Sequence, residues 1–175
     1  RLTAFWGLGV MASMLLSGMV LINWLGYMRV LRIGLIGSIF VFAGVILSGA
    51  VGNPGFFRIL VLFMGLGTGL AGAGMLTGVI NFTTAIRAGM LLGVWGMANM
   101  VGHALGSLMG GGVVDIMLAL TGGNALLAYS TVFALEIGFL IAAVTLSVRF
   151  DPKDSLAQQE AEVVLPAGVE GSALT

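Results

Sequence analysis

Cysteine is absent from the 175 residues, which excludes disulfides, thiolate metal sites and cysteine nucleophiles. Charge is almost as scarce. Asp, Glu, Lys and Arg together make up 8% of the chain, whereas an ordinary soluble domain carries roughly 25%. The seven basic and seven acidic residues cancel. No basic surface is available to neutralise a phosphate backbone, so nucleic acid is excluded as a partner. What fills the chain instead is apolar: 59% of residues are hydrophobic and the mean hydropathy is +1.13. Eleven methionines read as soft packing residues. Lipid is the expected solvent, and the lipid bilayer the first partner.

The apolar residues form five runs, at about 3–25, 33–51, 57–80, 88–120 and 126–148, each near or above the roughly 20 residues that cross a bilayer. The expected fold is therefore an all-α integral membrane protein, a bundle of five transmembrane helices over residues 1–150. A polar tail at 151–175, acidic and punctuated by proline and glycine, is expected to be mostly disordered. Short connections with turn chemistry, at 26–32, 52–55 (GNPG), 82–87 and 121–124 (TGGN), make sequential helices antiparallel neighbours. The fourth run is too long for a perpendicular helix, so we expect a tilted helix with a local irregularity at Gly110, Gly111 and Gly112.

Loop charges set an orientation. Arg29, Arg32, Arg87, Arg149 and Lys153 fall on one side, and Arg1 and Arg58 on the other. The positive-inside rule then places the C-terminus, with Trp24 and Tyr27 at the same boundary, in the cytoplasm. A chain that starts with arginine directly in a membrane helix reads as the C-terminal part of a longer protein, whose N-terminal half is then a partner of these helices.

The fourth run carries the chemistry. Gly96, Asn99, His103, Gly106 and Gly110 recur at spacings of three and four, one stripe of a helix. Gly102, Gly106 and Gly110, with Gly89, Gly93 and Gly96, are expected to let neighbouring helices approach closely; the glycines of the third run read the same way. His103 lies midway along its run and Glu136 midway along the last, which crosses in the opposite direction, so the two can meet near the bilayer midplane. A carboxylate there costs ~2.5–3.5 kcal/mol on insertion scales and needs a polar partner or its proton. Two readings stay open: a proton-titrating or ligand site, with the imidazole on a metal such as the magnesium of a chlorin, or hydrogen bonding between helices. Asp115, nearer the outer interface, reads as a structural group bonding backbone amides at the glycine break, or as a third site residue. Arg29 and Arg32 read as topology determinants or as a conformational latch, and Arg87 as a further charge of the cytoplasmic loops. Trp6 and Trp95 read as anchors, or as platforms for a ring-shaped ligand.

The wording of two segments is more specific. GMLLGVWGMANMVGHALGSLMGGGVVDIM and LAYSTVFALEIGFLIAAVTL resemble the end of the PucC/LhaA family, also called the bacteriochlorophyll delivery family of the major facilitator superfamily. RLTAFWGLGVMASMLLSG is similar to an earlier helix of that family. The elements that match are Gly89, Gly93, Trp95 and Gly96, the glycine-rich stretch before Asp115, and Tyr129, Val132, Phe133 and Glu136; His103 is outside the pattern. The resemblance implies the C-terminal portion of a twelve-helix transporter-like fold in a bacterial inner or photosynthetic membrane. It also implies a role in light-harvesting antenna assembly: delivering (bacterio)chlorophyll to antenna polypeptides, or chaperoning those polypeptides. Tetrapyrrole is then cargo, and no cofactor is required.

The alternative is a proton-coupled major facilitator transporter of a small solute, with Glu136 titrating. A pigment-synthesis enzyme such as a prenyltransferase needs clustered aspartates to hold magnesium and diphosphate, and the membrane region offers Asp115 alone, so no enzyme is expected.

Overall fold

In lipid no water satisfies backbone N–H and C=O groups, so a spanning chain closes its hydrogen bonds within helices. The computed structural model, which describes residues 2–81 and 88–149, is built this way, with no strand among the described residues. Five helices are long and apolar enough to cross a membrane. We label them α1 (Leu2–Leu25), α2 (Tyr27–Val51), α3 (Pro54–Asn81), α4 (Ala88–Leu120) and α5 (Ala125–Arg149). The chain is an all-α, multi-pass membrane protein. Residue 1, the 82–87 connection with Arg87, Lys153 and the 151–175 tail lie outside the described residues.

Local chemistry explains the breaks. Gly26 turns the chain between α1 and α2 with φ 81°, and Gly52 ends α2 with φ 69°, a left-handed conformation that costs a residue with a Cβ. The Asn53 side chain then accepts hydrogen bonds from the N–H groups of Gly55 (3.0 Å) and Phe56 (3.3 Å), capping α3. Pro54 occupies the first turn, where its missing N–H is not needed. Asn124 caps α5 in the same way, accepting from Leu127 N–H at 3.2 Å.

Three expectations need correction. The second helix begins at Tyr27, not 33, because Gly26 alone makes the turn and no helix breaker follows it until Gly34; Arg29 and Arg32 therefore ride on a helix. The third begins at its proline, not at 57. The fourth runs unbroken through Gly110, Gly111 and Gly112. Glycine weakens a helix by only about 1 kcal/mol per residue, far less than opening backbone hydrogen bonds in lipid would cost. The irregularity lies instead in α1, as a π-turn at Ser17–Leu21.

Small residues decide the packing. The helices follow one another in space as α1, α3, α2, α5, α4, with only a slight contact between α4 and α3. One side of α3 meets α1: a Cβ at Gly65 would run into the Trp6 carbonyl, and one at Gly69 into the Ser13 hydroxyl. The other side meets α2, where a Cβ at Gly74 would lie 2.8 Å from the Leu31 nitrogen. Partners are correspondingly small, for a Cβ at Gly34 would lie 2.5 Å from the Ala71 nitrogen. Two of the buried hydroxyls return to their own helices, Ser13 donating to Val10 O (3.0 Å) and Ser38 to Gly34 O (2.9 Å), whereas Ser17 Oγ, at the π-turn of α1, has no hydrogen-bond partner among the described residues. Helices in lipid gain no hydrophobic advantage by associating, so such close backbone contact supplies the attraction.

A different seam joins α2 to α5. At one end the Arg32 guanidinium donates through Nη2 to the carbonyl of Ser147 at 2.7 Å. Midway, the Phe42 and Phe133 rings stack with centroids 5.7 Å apart. At the other end Leu126 reaches Gly49. These three contacts set an antiparallel register that carries α5, and α4 upon it, beside the α1–α3 core.

Candidate functional site: an open cleft between α4 and α5

The α4 and α5 helices diverge around a cleft of about 750 Å³. From α4 come Ala98, Asn99, Gly102, His103, Gly106, Ser107, Met109, Gly110 and Val113; from α5, Val132, Leu135, Glu136, Phe139, Leu140 and Ala143; from α3, Met75 alone. Antiparallel pairing places His103 and Glu136, each near the middle of its helix, in the same cleft. Both are exposed. Among the described residues neither takes part in an ion pair or hydrogen bond. Every described cation, Arg29, Arg32, Arg58 and Arg149, sits near a helix end instead. Asn99 is partly satisfied, donating through Nδ2 to Trp95 O at 3.3 Å on its own helix.

Other predicted residues lie elsewhere. Asp115 is exposed on α4 and outside the cleft, and the glycine break expected beside it does not exist. Gly89, Gly93 and Gly96 also lie outside the cleft. The expectation of close packing at these glycines is not met within this chain: a Cβ at Gly89, Gly93, Gly96, Gly102 or Gly106 would meet nothing within 4 Å, and one at Gly110 would touch Val132 at 4.0 Å. The reason is the peripheral place of α4, which rests mainly on α5.

Arg32 spans two helices, its charge placed on a carbonyl in the last turn of α5, where a cation complements the helix dipole. Among the described residues its Nε is buried without a hydrogen-bond partner, as is Nε1 of Trp95. Arg29 is exposed.

Sequence reasoning misses the α5 wall, although a signal is there. Val132, Leu135, Glu136, Phe139, Leu140 and Ala143 are spaced as one helical face, so Glu136 alone selects the rest. Met75 carries no local signal, because it enters only through the slight contact of α3 with α4. No group of three or more His, Asp or Glu side chains that could hold a metal ion occurs among the described residues. The cleft is thus a largely apolar groove with an imidazole, an amide and a carboxyl group converging on it, a composition suited to an apolar occupant that offers a few polar contacts.

Comparison with known proteins covers most of the chain. The profile of the PUCC protein family matches residues 1–152. The chain is 33% identical over 153 residues to "Protein PucC" of Rhodobacter capsulatus, a match that covers 85% of this chain and 33% of that protein. It is 29% identical over 154 residues to "Uncharacterized protein in puhA-bchM intergenic region" of the same organism, covering 84% of this chain and 32% of the relative. The chain therefore spans about a third of the length of these curated relatives. No solved structure matches it.

Proposed function

Because the chain belongs to the PucC protein family, we propose that the complete protein is an assembly factor for light-harvesting antenna complexes, delivering (bacterio)chlorophyll to antenna polypeptides or chaperoning those polypeptides. It works in a photosynthetic or inner membrane with its C-terminus in the cytoplasm, and performs no catalytic step of its own. The family match over residues 1–152 carries this reading. The physical character of the molecule supports it. Pigment and antenna helices are apolar and reside in the bilayer, and this chain offers them a lipid-level cleft with few polar groups, His103, Glu136 and Asn99 among them. Arg29, Arg32 and the positive-inside rule favour the cytoplasmic side for the α1–α2 turn.

The test is an absorption spectrum of the full-length tagged protein, gently extracted from its native membrane, together with identification of co-purifying polypeptides. Chlorin bands and antenna helices are expected; a colourless protein without antenna polypeptides overturns the proposal. His103→Leu then tests the imidazole as a magnesium ligand. Ligation predicts loss of the bound-pigment band at unchanged protein level, and an unchanged band removes His103 from that role.

A further inference from the structure

At the end of the bundle where α1 turns into α2 and α5 finishes, Arg29, Arg32 and Arg149 gather and no described acid accompanies them. We propose that this end of α2 and α5 binds an anionic phospholipid of the adjoining leaflet, with its phosphate on Arg29 and Arg32 and an acyl chain along the lipid-facing side of α2. The site is separate from the α4–α5 cleft and independent of the antenna reading.

Charge is the first observation. Asp115 lies toward the other end of the bundle and Glu136 midway along α5, so among the described residues no carboxylate is placed to neutralise the three arginines. The second is donor capacity. Arg32 is tied to the seam through Nη2, which donates to Ser147 O at 2.7 Å, while its Nε has no hydrogen-bond partner among the described residues. Arg29, exposed one helical turn away, makes no hydrogen bond or ion pair among the described residues. One guanidinium is thus held in place with donors to spare and a second is free beside it, an arrangement that suits the oxygens of a phosphate. The third is depth. Trp24, 85% exposed at the end of α1, lies at the same end of the bundle, and indoles favour the headgroup level of a bilayer. The fourth is the surface below the arginines. Arg29, Ile33, Ile36 and Phe40 are all exposed and follow one another at intervals of four, three and four, one face of α2. From Arg29 to Phe40 that face runs about 16 Å at 1.5 Å per residue, close to one leaflet's half of the ~30 Å hydrocarbon layer. A headgroup at Arg29 lays its chain on this apolar stripe, which a soluble phosphate would leave unused. Net charge selects the headgroup, because phosphatidylcholine would bring a further cation to a patch that already holds three, whereas phosphatidylglycerol brings a negative charge alone.

The experiment places the full-length protein in phosphatidylcholine nanodiscs with a trace of one of two photoreactive probes, a phosphatidylglycerol or a phosphatidylcholine bearing the same diazirine-labelled acyl chain. After irradiation, mass spectrometry of the digest should find the phosphatidylglycerol probe on residues 33–40 at about five times the level of the phosphatidylcholine probe, the preference that one basic side chain confers near an anionic headgroup. Arg29→Gln should abolish that preference and Arg29→Lys should keep most of it. Both variants leave the Arg32 contact to Ser147 O in place, so the α2–α5 seam is unaffected. Arg58→Gln, at the opposite end of the bundle, should preserve the preference within about twofold. Excess inorganic phosphate should not displace the probe. Equal labelling by the two probes, a preference that survives Arg29→Gln, one that Arg58→Gln abolishes as well, or displacement by inorganic phosphate each overturns the proposal. Because no readout involves pigment or antenna polypeptides, failure here leaves the spectrum of the purified protein to be judged separately.

Discussion

Two glycine-rich helices of the same chain, α3 and α4, behave in opposite ways. In the most apolar stretch of α3, 33% of the residues are buried; in that of α4, none. Glycines of α3 lie against backbone atoms of two neighbours, so Gly65, Gly69 and Gly74 have no room for a methyl group. Glycines of α4 have room on every side that this chain supplies. Glycine spacing by itself therefore does not distinguish a formed seam from an open one. Position in the bundle does: α3 is wedged between two helices, whereas α4 stands at the end of the row.

The contrast can be broken most forcefully at Gly65. Leucine there must displace the Trp6 carbonyl of α1, and backbone against side chain leaves little means of relief, so we expect a loss of about 3 kcal/mol or more. Thermal unfolding of the detergent-solubilised full-length protein should show Gly65→Leu melting far below the parent, or failing to elute as one species; a parent-like melt would mean that the α1–α3 seam is not formed as described. A smaller effect is expected where the core is tied to the open half. Arg32→Gln loses the charged donor to Ser147 O, worth about 2 kcal/mol, and Arg32→Lys should recover part of it, because a lysine keeps the charge without the planar fork. Equal melting of Arg32→Gln and the parent would remove Arg32 as the tie. The smallest change belongs to the open face. Gly93→Ala meets nothing within 4 Å, so helix propensity alone acts and the melt should hold or rise, by no more than about 1 kcal/mol. A marked fall at Gly93 would show that a neighbour from outside the chain covers that face.

Sequence reasoning reaches the elements more readily than their partners. Runs of apolar residues locate five helices, and Asn53 and Asn124 announce where two of them begin, because capping is a local matter between a side chain and the next turn. The stripe through Asn99, His103 and Gly106 is equally local, so its shared face is legible in the spacing of the residues alone. Pairing is not local. That α3 sits between α1 and α2, and that Phe133 stacks on Phe42, depends on contacts distant in the chain. The meeting of His103 and Glu136 in one cleft needs only antiparallel neighbours of matched depth, which short loops supply. The emptiness around Gly102 depends on what surrounds α4, which no period of residues contains.

The π-turn in α1 has a consequence for orientation. A single additional residue in a helical turn advances everything beyond it by about 100° around the axis. Gly9, Ser13 and Ser17 are buried at intervals of four on one side of α1; beyond the π-turn Trp24 is 85% exposed while Leu25 is partly covered. Ser17–Leu21 thus acts as a phase shifter, letting one helix serve a glycine seam along its first half and still aim an indole outward at its end. Removing one residue from that turn would leave the length of α1 nearly unchanged and rotate its final turn by about 100°, swinging the Trp24 indole from the membrane toward the bundle.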